Sequence, residues 1–543
     1  MGNEAVRGGG TAEAQADVVV VGFGGAGVCA ALQAVEEGAS VLVVERFDGG
    51  GATRISGGVV YAGGGTAAQR EAGIADTPER LLDYLRWETR GLVDEALLRA
   101  FCERSRADVE WLARHGVTFP GRAFGGKSVV APAGYGLFFT GNERQHGGDS
   151  APPRGHIPAG RGQRGRVLFD ALAQAAARAG VAVVRRVRAE RLLRDDDGRV
   201  VGVEGLALPA SGPLRTAHDA LASAALAARP VVPALRALER RVGRPWRVTA
   251  RRGVVLAAGG FVFDAARMAR HAPAYLGCLP LGTAGDDGAG LALGEAVGAA
   301  TVGLERCAAW RFIYPPEAFV EGVLVDGRGE RLCDESLYGA TVGRQIAERA
   351  GGRAFLVLDA AIVRRIRAQR AADEQPWQRS WREWLSGEAN DLLFRHLSTL
   401  LNLHLNRRKA GTLRALERAS GMPDGALERT VAAYNAGCAA GTCDACGKAE
   451  RYRRPLLEPP FLAVVCDLDS RLFLGPCFTL GGLATDGLTG RVLDGDGRPV
   501  PGLYAAGRNA AGVCAGGYVT GLSVADCVFS GRNAGRSAAR SGS

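Results

Sequence analysis

The sequence predicts an α/β fold, a Rossmann-like domain assembled from two separated stretches of chain with an α+β domain inserted between them. Three features predict it. The apolar run Asp17 to Val21 leads into glycines and an alanine-rich helical stretch, and a second run, Ala39 to Val44, closes a βαβ unit. Two later runs, Arg252 to Gly260 and Pro501 to Gly507, again end on glycine. Strands that are apolar throughout, rather than alternating, belong to a parallel sheet covered on both faces.

Residues 1–16 read as a disordered leader of small and polar residues. Residues 17–272 form the first segment of the Rossmann-like domain. Within it, one helical stretch runs from the start signal Thr77-Pro78-Glu79 to Gly116, and Val181 to Val184 and Val200 to Val203 read as strands. Residues 206–250, rich in Ala, Leu and Arg and broken by Pro230 and Pro233, read as a helical insertion. A surface hairpin is the plain account of it, and peripheral membrane contact through a basic face stays open. Residues 273–447 mix strands such as Ala354 to Leu358 with helical stretches around 361–420 and make the inserted domain. Residues 448–543 return to the first sheet and close with a helix from Leu522.

A chain of 543 residues is too long for one compact core. Its 47% hydrophobic and 23% charged residues exclude a disordered or fibrous protein. The net charge of +10 is spread along the chain with no basic arm, zinc finger or recognition helix, so no nucleic-acid partner is expected. No apolar stretch is long enough for a membrane span and no secretory signal opens the chain, which predicts a cytoplasmic protein. Twelve cysteines include a loop cluster, Cys438, Cys443 and Cys446. A second Cys-x-x-Cys pair is missing and the seven histidines have no ligand-like spacing, so free thiols and no metal are expected.

The first turn carries the chemistry. Gly22-Phe-Gly24-Gly25-Ala26-Gly27 stands between strand and helix. Gly22 permits the turn, Gly24 lets backbone N–H groups approach a pyrophosphate, and Gly27 lets the helix pack on the strand. Glu45, eighteen positions past Gly27 at the end of the second strand, suits the ribose hydroxyls and disfavours a 2′-phosphate. Arg46 is a further candidate cofactor contact, and the glycine-rich loop that follows it, with Thr53, Ser56, Gly57 and Gly58, is suited to lie against a flavin ring and present the Ser56 hydroxyl to it. That favours FAD over NAD. Gly259, Gly507, Gly517 and Leu522, at the later strand ends and the start of the closing helix, complete the candidate cofactor-binding set.

The fingerprint, TRISGG at 53–58, VVLAAGGF at 254–261, FTLGGLATD at 478–486 and PGLYAAG at 501–507 follow one another in an order that resembles the fumarate reductase and 3-ketosteroid dehydrogenase flavoprotein superfamily. The resemblance implies a Rossmann-like FAD-binding domain in two sequence segments with an inserted α+β catalytic cap domain. It implies a hydride moved between flavin and a carbon, with an acid or base for the proton of the neighbouring carbon. Fumarate reductases carry an Arg a few positions after a segment like Gly329 to Glu335; this chain has Tyr338 there and no Arg until Arg344. In 3-ketosteroid dehydrogenases that region carries a functional tyrosine and the closing segment a second, matching Tyr338 and Tyr518, and the form of the segment is similar to the Δ4-(5α) branch, whose base would fall on Thr520. Thr replaces the Ser of that pattern, keeping the hydroxyl and adding a methyl. No His stands in the TRISGG loop, where succinate dehydrogenases link their flavin, so FAD is expected to be non-covalent.

Hydrogen removal beside a ketone needs the α C–H acidified, and the Tyr518 hydroxyl with a backbone N–H near Gly521 or Leu522 would hold the developing enolate oxygen. Tyr338, hydrogen-bonded to Thr520, would relay the proton. Tyr314, Tyr135 and Gly521 are the candidate substrate contacts, with plain packing the alternative for the two tyrosines. Arg154-Gly-His156, in a Pro-flanked loop, reads as a solvated turn, with the lining of a pocket entrance the alternative. The expected activity is an FAD-dependent dehydrogenase placing a C=C bond beside a ketone in a steroid-like or polycyclic apolar substrate. The alternatives are a flavin-dependent fumarate or enone reductase, and a redox-sensing flavoprotein acting through the Cys438–Cys446 loop. The exact substrate, the electron acceptor and the oligomeric state are left open by the sequence.

Overall fold

The structure is a computed structural model that describes residues 12–127, 134–160, 162–227, 229–373, 397–473 and 475–542. Its main sheet is built on β1 (Ala12–Val21), which leads through α1 (Gly25–Glu36) to β2 (Val41–Glu45). After helix α2 (Pro78–Thr89) come β3 (Ala182–Arg185) and the long β4 (Arg244–Leu256). Helix α3 (Gly339–Arg349) belongs to the inserted region, and β5 (Pro499–Ala505) and α4 (Leu522–Arg540) close the fold. Across the sheet the order is Arg491–Leu493, β5, β4, β1, β2, β3, and all pairs from β5 to β3 are parallel. Val18 to Val21 and Val254 to Leu256 are fully or almost fully buried, as a sheet covered on both faces requires.

The leader ends sooner than expected. Residues 1–11 lie outside the described residues, but Ala12 to Ala16 extend β1 and pair with Trp246 to Ala250. β4 is thirteen residues long, and its first half offers backbone partners to a segment that has no apolar run of its own. The helical insertion is also shorter than 206–250: among the described residues its helices are Pro213–Ala227, a 3-10 turn at Arg229–Val231, and Val232–Val242. Residues 244–250 are strand because Trp246, Val248 and Ala250 alternate inward, a period of two that the helical reading overlooked. The hairpin's inner face is fastened by ion pairs: buried Glu239 meets Arg46 at 2.8 Å and Arg188 at 3.1 Å.

The single helix expected over 78–115 is two, α2 and Glu95–Arg114, because Arg90 and Gly91 both take positive φ and turn the chain. The inserted region has its own four-stranded sheet of Val323–Asp326, Ala354–Leu358, Phe461–Val465 and Arg407–Ala410. Phe461–Val465 lies beyond the boundary expected at 447/448. It pairs with Ala354–Leu358 on one side and Arg407–Ala410 on the other, so the return to the main sheet comes only at Arg491.

Helix α4 lies against α1 closely enough that a Cβ on Gly535 would stand 2.2 Å from the Ala30 carbonyl oxygen. That contact fixes the start of α4 relative to the first turn. Gly535→Val is expected to wedge the helices apart and cost about 1–3 kcal/mol, as overpacking does. Gly495→Ala, whose Cβ meets nothing within 4 Å, should change the urea midpoint little. Equal effects in the two variants would show that this helix contact is not the constraint.

Candidate functional site

The carboxyl ends of β1, β2, β4 and β5 share one edge of the sheet, and the glycine positions singled out by the sequence gather there. Gly22 has φ of +102°, and a Cβ on Gly27 would lie 1.9 Å from the Gly22 carbonyl oxygen. A Cβ on Gly24 would meet only Gly50 O, at 3.9 Å, so that face of the turn is open to a ligand. Gly25 and Ala26 are buried in the first turn of α1, with Thr53 against Gly25. Glu45 is buried, and its two carboxylate oxygens accept the N–H groups of Phe23 and Phe47, each at 2.7 Å. Burial nevertheless raises its pKa above the usual carboxylate value. Across the edge, Asn509 accepts the Ala258 N–H at 3.0 Å while its buried Nδ2 has no partner among the described residues. A buried amide left without an acceptor, above an open glycine turn and a buried acid, is the pattern of a cradle for an extended polar ligand.

Several expected members of that cradle are otherwise engaged. The Arg46 guanidinium is held by Glu239 at 2.8 Å and Asp287 at 2.9 Å, so it fastens the helical insertion rather than facing the crevice. The Ser56 hydroxyl donates to Thr53 O at 2.8 Å and accepts from Gly58 N–H at 3.0 Å; its one proton is spent inside its own loop. Gly57 is exposed, and Gly58 packs on the backbone of Arg164. Gly259 sits against Asp286, Gly507 donates its N–H to Ser530 Oγ at 2.9 Å, and Gly517 packs on the Glu88 carbonyl.

The three candidate catalytic side chains do come together. Tyr338 stands at the start of α3, and Tyr518 and Thr520 lie just before α4. The Tyr338 hydroxyl is hydrogen-bonded to Thr520 Oγ1. Tyr338 and Tyr518 are 6.5 Å apart between ring centroids, with Phe312 edge-on to Tyr338 at 5.4 Å and Phe478 edge-on to Tyr518 at 4.8 Å. Burial pushes the Tyr338 phenol well up, the neighbouring Tyr518 adds to this, and the bond with Thr520 opposes it. Burial likewise raises Tyr518, partly offset by the backbone N–H of Gly521. The Leu522 N–H is taken by Val519 O at 3.1 Å, which leaves Gly521 as the backbone donor beside the phenol.

Of the other tyrosines, Tyr314 is buried 6.2 Å from the Phe312 ring, in the same aromatic group. Tyr135 stands apart, edge-on to Phe124 at 5.4 Å and under Arg122. Arg154 and His156 are not a solvated turn: Arg154 pairs with buried Asp76 at 2.9 Å, and His156 lies between Thr66 Oγ1 and the Arg154 carbonyl. Burial lowers His156 to about 4. The cysteine loop is organised by Asp444, which accepts the Cys446 N–H at 2.9 Å and pairs with Arg331 at 2.6 Å.

Sequence reasoning missed Asn142. Fully buried, it accepts the Tyr338 N–H at 2.7 Å and donates to Glu88 at 2.9 Å and to Thr341 Oγ1 at 2.8 Å, while its own N–H donates to Tyr84 Oη at 2.9 Å. Tyr84 in turn donates to Glu88 at 3.1 Å. This node ties α2 to the first turn of α3 and so sets where Tyr338 stands. No motif marks it; its partners lie 54, 58, 196 and 199 positions away.

A family model described as FAD binding domain matches residues 17–521. A 3-oxo-5-alpha-steroid 4-dehydrogenase of Comamonas testosteroni is 34% identical, covering 90% of this chain and 92% of its own. The crystal structure of a 3-ketosteroid-delta4-(5alpha)-dehydrogenase from Rhodococcus jostii RHA1, in complex with 4-androstene-3,17-dione, superposes with a TM-score of 0.78 at 32% identity over 97% of both chains. A probable fumarate reductase of Shewanella frigidimarina is 25% identical, covering 96% of this chain and 74% of its own. Among the described residues no helix is long and apolar enough to cross a membrane.

Asn142→Asp would set a second carboxyl against Glu88, whose pKa burial already raises. Two buried acids with raised folded values are tolerated at low pH and cost stability as pH rises past their unfolded values. The variant should therefore lose little against the parent at about pH 4 and on the order of 1–3 kcal/mol at neutral pH. Urea unfolding at both values checks this, and a deficit independent of pH would remove Asn142 from the network.

Proposed function

The chain belongs to the FAD binding domain family, and on that premise we propose that it is a dehydrogenase introducing a C=C bond beside a ketone in a steroid-like, apolar substrate. One observation supports this above the others: two buried phenols and a threonine hydroxyl converge in an aromatic surround, with no ionised side chain bonded to any of the three among the described residues. Such a surround suits a flat hydrocarbon framework and repels a dicarboxylate.

FAD is the cofactor, and the residues present fit it. The open Gly22–Gly27 turn and the start of α1 would hold the pyrophosphate, and buried Glu45 the ribose. The unpaired Asn509 amide would find its acceptor along the same crevice. With no histidine in the 53–58 loop, FAD would be held non-covalently. When bound, it supplies the acceptor for the hydride that leaves the carbon β to the ketone.

The chain's own residues then have separable tasks. The Tyr518 hydroxyl, kept protonated by its raised pKa, and the Gly521 N–H would hold the ketone oxygen and stabilise negative charge as it develops there. That acidifies the α C–H. Thr520 Oγ1 would take the α proton as its own proton passes to Tyr338, whose hydroxyl it already meets and whose phenol proton leaves toward solvent in the same relay. Asn142 would act as a positioning residue by fixing the Tyr338 backbone. Closely packed aromatic rings would keep water out.

In an anaerobic cuvette the yellow holoenzyme should be bleached by the saturated counterpart of 4-androstene-3,17-dione. Reduced enzyme reoxidised by fumarate but by no enone would instead establish the reductase. Tyr518→Phe and Thr520→Ala should each lower the bleaching rate by about 10²–10³-fold. Because burial holds the Tyr338 phenol above its ordinary value, the parent rate should climb through the alkaline range, and Tyr338→Phe should flatten that limb in a pH profile.

A further inference from the structure

Behind Tyr518 lies a cavity of about 280 Å³ that Tyr338 and Thr520 do not line. It opens between the end of α2, helix α3 and the segment 515–518, and its walls carry Glu88, Arg90, Arg306, Arg344, Glu348 and Tyr518. With Glu305 also on the wall, three carboxylates face three arginines, so the charges match in number but not in pairing. Arg90 is paired with Glu348 at 3.2 Å across the mouth. Arg306 is paired with Glu305 at 3.0 Å and donates to Ala515 O at 3.1 Å. Glu88 is buried and its oxygens are taken up by Asn142, Tyr84 and Thr341. Arg344 is different: its Nε is buried with no hydrogen-bond partner among the described residues.

An unpartnered, partly desolvated guanidinium on a cavity wall is costly, and an anion with two oxygens in one plane offsets that cost best. Glu88 and Glu348 act on Arg344 from a distance without bonding to it, so an acceptor of single charge is what its pairing lacks. A doubly charged phosphate would also face Glu88 and Glu348. The rest of the lining includes Ala308, Ala347 and Leu480, which suits a carbon body. We infer that this cavity is a binding site for a small organic carboxylate, seated with its carboxylate on Arg344 and sharing only the Tyr518 wall with the hydroxyl cluster. The inference rests on the cavity and its unpaired cation, independent of which ketone the enzyme oxidises.

The test is binding, not turnover. Titrating the FAD-loaded enzyme with sodium benzoate should give a saturable rise in melting temperature that sodium chloride at equal ionic strength does not reproduce. Arg344→Gln should weaken benzoate binding at least about tenfold, with Arg344→Lys in between. A parent and Arg344→Gln that respond alike, or a chloride response equal to the benzoate one, would overturn the site. Should the variants misfold, crystals of the parent enzyme soaked in 4-bromobenzoate decide it: anomalous bromine density in this cavity is expected, and density elsewhere or nowhere refutes the proposal.

Discussion

The parallel register of β1 with β2 and β4 is the constraint on which the other features depend. It aligns Val18 to Val21 with Val41 to Val44 on one side and with Gly253 to Leu256 on the other. The three strands therefore end together, and the turn after each must take up its glycine or its acid at the same edge. A slip of one residue would exchange the valines between the two covered faces, each against the other core, and carry Glu45 away from the Phe23 N–H it now accepts. β5 joins this register through Leu503 and Ala505, which places the following segment, and with it α4, against the first turn. Position in the crevice is thus inherited from apolar pairing far from any polar ligand.

The hydroxyl cluster shows what burial does once position is fixed. A phenol in water loses its proton within reach of alkaline conditions; enclosed by Phe312 and Phe478, both tyrosines keep theirs. The same enclosure strengthens whatever hydrogen bonds they donate, because water does not compete. Glu88 obeys the same rule: desolvation favours its neutral form, and Asn142, the Arg344 charge and Tyr84 pull it only part of the way back, so its pKa stays raised. The network is balanced rather than strongly ionic, which is why removing a donor and adding an acid act differently on it.

How much of this was legible depended on whether the signal was local. The βαβ unit, the glycine turn and Glu45 are set by spacing along one stretch of chain, and the structure places them where that spacing requires. Boundaries failed where pairing crossed long distances. Ala12 to Ala16 look like a leader until β4 supplies partners more than two hundred positions away, and Phe461–Val465 looks like part of the closing segment until Ala354–Leu358 claims it. Arg46 and Ser56 had the right neighbourhood in sequence and the wrong partners in space, Glu239 for one and their own loop for the other. Asn142 was invisible because an asparagine in a polar loop is ordinary until four separate groups converge on it.

Thr520 concentrates the remaining question of geometry. Its N–H is fixed by Thr140 O at 3.1 Å and the next carbonyl, of Gly521, accepts the Tyr61 N–H at 3.1 Å, so its backbone is held on both sides. A β-branched side chain on a fixed backbone has few rotamers, and the one present aims the hydroxyl at Tyr338. A serine there could turn away; a threonine pays for doing so by moving its methyl through the same space. The added methyl therefore acts on orientation rather than on acidity, holding the oxygen on the phenol and narrowing the room left beside the rings. The tasks proposed for Thr520 and Tyr338 need only that fixed contact, and it is made by residues 182 positions apart from the inserted and the closing segments.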